Sequence, residues 1–359
     1  MRVLFFTFSL IISFLLAAES TSNTLLSQIG PVLTPPVEYN GQIYFMATTG
    51  VLYKADYALA KAEKVFQTEK SSIAPILIDE SVAYLGEGIH EDIKTNFYAF
   101  DLQKEKIKFQ LSIQGHIERA PLITEHAIYL GLGPGGIMAL DKKNGREIWR
   151  IEKIKQGKLH VDARPVVYNE DICFPSIYEF KGIVCLNHKN GKPAFFLELG
   201  KSPKSQVVLS GKRLVGMAME ANMIETKWES PAALYVINLA SKKKEIEIDL
   251  RGYSFSAPLL LNDEEAFVAL STGDLLLIQL SDGKISYIGE MQGPITSNPF
   301  FKDGAYCAIS IMGRLACFTR LKEKFELIRD QSLVQNIIGE IGYINDKFYA
   351  PSRMGYLLF

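Results

Sequence analysis

The chain lacks a dominant charge: 39 Lys and Arg stand against 40 Asp and Glu, a formal net charge of −1 over 359 residues. That excludes broad electrostatic binding of nucleic acid or anionic lipid, which needs a surplus of one sign. It also lacks a second long apolar run. Residues 3–16 are apolar, follow Arg2 and precede the small pair Ala17-Ala18, so residues 1–18 read as a secretory signal peptide. The run is short of the ~20 residues that span a bilayer, and no later stretch is long and apolar enough to do so. No cysteine follows Leu15-Leu16-Ala17-Ala18, so a lipoprotein cleavage box is missing. A Gly-rich phosphate loop, a nucleophile elbow and zinc-ligand spacing are missing too, as is any dense Asp/Glu loop of the calcium-holding kind. These absences predict an exported, periplasmic, soluble protein with no nucleic-acid partner, no membrane span, no cofactor and no metal.

What the chain does have is a unit repeated about once every forty-odd residues, the mark of an array or propeller. The fullest copy reads APLITEHAIYLGLGPGGIMALDKKNGREIW, from Ala120 to Trp149. Its opening proline, Pro121, recurs as Pro36, Pro75, Pro165, Pro258 and Pro299, with Val207 and Ile338 in the same slot of two degenerate copies. Within a unit, four short apolar runs alternate with turn residues, so each copy predicts four strands, A to D. Asn144-Gly145, Asn190-Gly191 and Asp282-Gly283 fall between strands C and D, where a tight hairpin needs positive φ. Eight positions past the residue closing strand C stands a bulky side chain: Phe109, Trp149, Phe195, Ile246, Tyr287 or Leu327. On an outer strand that side chain covers the gap between neighbouring sheets, so Trp149 is read as a docking residue rather than a ligand contact.

Eight openings are present, and the eighth copy stops in strand C at Gly355-Tyr356-Leu357-Leu358-Phe359. The stretch Gly30-Pro31-Val32-Leu33-Thr34-Pro35-Pro36 matches Gly293-Pro294-Ile295-Thr296-Ser297-Asn298-Pro299, a junction that follows a strand D. Residues 24–29 should therefore supply the missing strand, closing a ring and removing an open edge. The prediction is an all-β fold: one domain over 19–359, an eight-bladed β-propeller of four-stranded antiparallel blades. Its last blade is shared between about residues 24–30 and 337–359 and closed by the N-terminal strand.

Gly136-Ile137-Met138-Ala139-Leu140-Asp141 followed by Asn144-Gly145-Arg146-Glu147-Ile148-Trp149 resembles the repeat of pyrroloquinoline-quinone-type propellers. Length and leader are most similar to the BamB-like scaffolds of outer-membrane protein assembly. That resemblance implies a periplasmic protein that binds a partner and carries no cofactor. Such scaffolds are normally lipid-anchored, and this chain departs from them in lacking the cysteine. Quinone-dependent dehydrogenases of the same superfamily are larger and hold the quinone between a tryptophan and a disulfide of adjacent cysteines, with calcium beside it. Here no two cysteines are adjacent, and the two tryptophans are Trp149, a repeat residue, and Trp228, in a long insertion.

Three groups of residues stand outside the repeat logic. His116 and Glu118 lie five and three residues before Pro121, and His160 and Asp162 hold the same offsets before Pro165. Other copies carry Pro31 and Leu33, Tyr253 and Phe255, or Pro294 and Thr296 there. This places two histidine–acid pairs on adjacent blades at the channel mouth, where they bind a metal or small molecule, or simply line a wet funnel. Arg119 and Arg164 stand beside the acids and would neutralise them in the second case. The long connections 87–96, 152–163, 176–182 and 217–231 gather at one end of the ring. The last holds Met219, Met223, Ile224 and Trp228, either a partner-binding loop or a segment folded back on its blades. Finally, Cys173 and Cys307 share one strand B position, and Cys185 and Cys317 share one strand C position. They form two within-blade disulfides or four small buried residues. The function predicted is a non-catalytic, monomeric exported scaffold docking a protein partner in the cell envelope. The alternatives are a small-molecule or metal binder at the channel mouth, or a quinone-dependent oxidoreductase.

Overall fold

The computed structural model describes residues 24–90, 92–220, 227–254, 256–333 and 336–359. The predicted signal peptide, Met223 and Ile224 lie outside them. In the fullest copy the four runs are strands Leu122–Ile123, Ala127–Gly131, Ile137–Asp141 and Glu147–Ile151, hydrogen-bonded in that order. The two middle strands are buried almost throughout because sheets pack on both their faces, so they read as continuous apolar runs rather than alternating ones. The outer strand is half exposed. The same four-stranded antiparallel sheet recurs over residues 37–67, 77–114, 166–198, 208–251, 259–290, 300–332 and, with Thr24–Leu26 added, 342–358. The fold is thus all-β, with eight blades. In the first seven blades a register shift breaks the ladder between strands C and D, and such a bulge increases local twist.

The core lies between blades. Eight apolar clusters among the described residues each join one blade to the next around the ring. In the seam cluster Phe45 of blade one stacks on Tyr356 of blade eight, ring centres 4.8 Å apart. The outermost strand of that last blade is Thr24–Leu26, with Thr24 opposite Leu358, Leu25 opposite Leu357 and Leu26 opposite Tyr356. It ends earlier than residue 29. Ser27 to Ile29 turn instead, and Gly30 follows at φ 75°, redirecting the chain toward blade one.

Neighbouring blades interlock through the repeat's own residues. Trp149 is 8% exposed and donates its indole N–H to the carbonyl of His188 at 3.0 Å, on the C–D turn of blade four. Its ring lies over Gly191, where a Cβ would approach Cδ2 to 2.8 Å. Phe109 covers Gly145 of the next blade in the same way. The hairpin glycine therefore serves twice, supplying positive φ (69° at Gly191) and leaving room for the neighbour's ring. Gly191→Ala should destabilise the protein by about 2–3 kcal/mol, from left-handed strain plus the clash. A urea midpoint equal to wild type would show that the turn yields freely.

The cysteines are bonded as Cys173–Cys185 and Cys307–Cys317, each pair directly cross-strand between strands B and C. Gly313, at φ 79°, turns the chain between the second pair. The insertion in blade two is tied down by Glu87, fully buried. Its carboxylate accepts the Glu69 N–H at 2.5 Å, the Lys70 N–H at 3.0 Å, the Asn96 N–H at 2.9 Å and the Tyr98 hydroxyl at 2.7 Å. A buried carboxylate needs such a set of donors to offset its lost hydration.

Candidate functional site at the channel mouth

Strand D of blade two ends at Gln114, and the chain crosses to blade three through Gly115. That residue takes φ 113° and leaves no room for a Cβ, which would stand 2.0 Å from the Leu132 carbonyl. The crossing delivers His116 into the interior, fully buried. Its imidazole lies against Gly133, where a Cβ would fall 2.2 Å from Nε2. Nδ1–H donates to the carbonyl of Asp92 at 3.1 Å, and Nε2 meets Asp162 Oδ1 at 3.1 Å. The other oxygen of Asp162 meets His160 Nε2 at 2.9 Å. Two residues past His116, Glu118 Oε1 lies 2.5 Å from His90 Nδ1 and 3.8 Å from His116 Nε2. Three imidazoles and two carboxylates thus form one continuous cluster. Tyr178 closes it by packing edge-on to His160, ring centres 4.7 Å apart.

Burial and mutual charge shift three groups of the cluster, His90, His116 and Asp162. The hydrogen bond to Glu118 raises His90 above the ordinary histidine range, against the pull of burial. For His116 burial acts against the charged ring, but Asp162's hydrogen bond and charge, with Glu118, carry it upward on balance. Burial likewise works against ionised Asp162, and the two histidine hydrogen bonds outweigh it and hold the carboxyl well below its usual range. Lys204, facing the same pocket, is pulled downward by burial. Its ammonium has no hydrogen-bond partner among the described residues and sits 5.6 Å from the centre of the Tyr178 ring.

Of the residues singled out in the sequence, His116, Glu118, His160 and Asp162 meet here. The arginines behave differently from the expectation that they neutralise the acids. Arg119 reaches Glu340 of blade eight at 3.8 Å, a residue that also accepts from Gln206 of blade five. Arg164 is exposed, and among the described residues neither arginine makes an ion pair with Glu118 or Asp162. The histidines take that role: His116 and His160 reach Asp162 from the crossing segments, and His90 reaches Glu118 from the insertion of blade two. His90, Tyr178 and Lys204 were not anticipated. The first two sit on the B–C insertions 87–96 and 176–182, whose length was the only signal in the sequence.

A second, wider cavity of about 410 Å³ opens beside the cluster, lined by His90, Glu118, Arg119, Trp228, Glu340 and Arg353. Trp228 is 45% exposed and stacks on Tyr253, ring centres 6.5 Å apart, and its carbonyl accepts from the Ser271 hydroxyl at 2.5 Å. The insertion of blade five and the histidine cluster therefore share one end of the ring. Met219, expected on the exposed loop, is instead the last residue of strand Arg213–Met219 and is buried against blade six, because strand B continues further than the repeat suggests.

The quinone-holding arrangement does not fit these residues. Trp149 is enclosed between blades, and the disulfides join partners 12 and 10 residues apart. Fold and repeat define an eight-bladed propeller that is similar to the BamB-like propellers of the pyrroloquinoline-quinone type. Residues 115–229, from the cluster to Trp228 and its neighbour, match the family model described as outer membrane protein assembly factor BamB. Among solved structures the chain is similar to BamB from Moraxella catarrhalis, with TM-score 0.73 and 13% identity, over 94% of this chain and 97% of that one. It is also similar to the computationally designed Ika8 protein, with TM-score 0.71 and 11% identity, over 94% and 98% of the two chains. At such identities the likeness is one of fold. No curated protein matches the sequence.

Proposed function

We propose that the protein is a non-catalytic, exported scaffold of the cell envelope that docks a protein partner in outer-membrane protein assembly. The observation that carries this reading is the exposed Trp228 beside Arg119 and Arg353 at the rim of the 410 Å³ cavity, the first two of them within the stretch that matches the assembly-factor model. Tryptophan and arginine at the edge of a concave surface are the side chains that dominate protein–protein affinity. The leader over residues 1–18 supports export. Among the described residues no helix is long and apolar enough to cross a membrane. The blades are separate four-stranded sheets with short outer edges, and pairing at the seam covers the edge of Gly355–Leu358, which supports a monomer.

The test is photo-crosslinking in cells expressing the protein normally, with the crosslinker at position 228 and a control at the exposed Tyr287 on the outer strand of blade six. An envelope assembly protein should be captured from the first position and not the second. In a purified complex, Trp228→Ala should weaken binding about tenfold or more. Unchanged binding would remove the rim from the interface, and capture of no envelope protein would overturn the scaffold reading.

A further inference from the structure

We propose that His90, His116, Glu118 and Asp162 form a binding site for one divalent transition cation of the zinc class. Each offers one ligand atom, and the four atoms lie within 4.8 Å of one another. Two imidazole nitrogens and two carboxylate oxygens are a donor set suited to zinc and its neighbours. The two negative charges cancel the two positive charges of the ion, which a site this buried requires.

The groups behind two of the ligands, His116 and Asp162, are arranged as they are around bound metals. His116 Nδ1–H is committed to the Asp92 carbonyl at 3.1 Å, so in the neutral ring Nε2 carries the lone pair, and Nε2 is the atom that faces the carboxylates. Asp162 offers Oδ1 to the site, while its Oδ2 is held by His160 at 2.9 Å. His116 cannot swing away, being fully buried and wedged against Gly133. Metal–ligand bonds of about 2.0–2.2 Å place tetrahedral ligand atoms about 3.3 Å apart. The separations here run from 2.5 Å, between His90 and Glu118, to 4.8 Å across the group. Reaching tetrahedral geometry takes side-chain shifts of about 1 Å. His90, half exposed on its loop, is the ligand free to make the largest of them.

The repeat does not demand this arrangement. The ligands come from three separate connections, and at the matching offsets other blades carry proline, leucine, tyrosine or threonine. All four cysteines are bonded to one another, so no thiolate competes for the ion.

The experiment is zinc titration of the full protein, purified with a chelator and dialysed, using a chromophoric competitor and calorimetry. Cobalt(II) serves as a spectroscopic substitute. One equivalent of zinc should bind per chain, and cobalt should give the intense visible bands of a four-coordinate site. His90→Ala and Glu118→Gln should each weaken zinc binding by at least tenfold. Gly133→Ala should weaken it with every ligand retained, because the imidazole is displaced. His126→Ala, at an exposed position outside the cluster, should leave it unchanged. Thermal melts of each variant check folding, and His90, on the surface, is the replacement least able to disturb it. Absence of stoichiometric binding to the wild type would overturn the proposal. So would wild-type affinity in folded His90→Ala and Glu118→Gln.

Discussion

Reduction of both disulfides should lower the unfolding free energy by about 6 kcal/mol, the largest single change expected for this protein. Each bond closes a short loop, with sequence separations of 12 for Cys173–Cys185 and 10 for Cys307–Cys317. Restricting loops of that length in the unfolded chain is worth roughly 3 kcal/mol apiece. The two pairs lie in blades four and seven, apart from one another, so their contributions should add. The check is a urea titration of oxidised protein, reduced protein, and the two paired replacements Cys173→Ala with Cys185→Ala and Cys307→Ala with Cys317→Ala. Each pair should account for about half of the shift. Coincident midpoints for oxidised and reduced protein would show that packing between strands B and C already restricts the chain as much as the bonds do.

Trp149→Ala should cost about 3–5 kcal/mol, because an aromatic ring enclosed by two blades leaves a void that cannot collapse. The indole touches Tyr129 of its own blade and the turn of blade four, and its N–H is satisfied by the His188 carbonyl. Truncation removes all of these and leaves Gly191 facing empty space. Tyr287 occupies the same repeat position in blade six but is 55% exposed. Tyr287→Ala should therefore change stability by no more than about 0.5–1 kcal/mol. Equal losses at the two positions would mean that the repeat position, and not enclosure between blades, sets the energy. Chemical denaturation followed by tryptophan emission serves for Tyr287, and circular dichroism for Trp149.

The architecture was readable because it is written many times over. Proline openings, Asn-Gly and Asp-Gly hairpins and the bulky outer residue repeat at fixed spacing, and each copy needs the same interlocking contact with the next. The chemistry at the channel mouth occurs once. His116 and Glu118 stood out only as departures from the repeat, and comparing like positions between blades could find them. His90 lies in an insertion and had no like position to compare, whereas Lys204 holds the offset before Val207 that Glu118 and Asp162 hold before their prolines and was passed over in a degenerate copy. That Arg119 would turn across the channel toward Glu340 rather than to its neighbour Glu118 depends on the diameter of the ring, which no local pattern encodes. Met219 was misplaced for a related reason: an apolar residue beside a long loop looks exposed in sequence, while the strand carries it one step deeper.

The seam between the first and last described strands has a consequence for how the molecule ages. Seven blades are continuous hairpins, whereas the eighth is completed by a ribbon from the other end of the chain, Thr24–Leu26 among the described residues, gripping Gly355–Leu358. When thermal motion loosens a latch that no hairpin ties to its sheet, the hem it leaves bare is a ready template for the matching ribbon of another molecule. Strand exchange between copies is thus the natural route by which concentrated, heated protein would turn into intertwined dimers, each ring buttoned with its neighbour's thread.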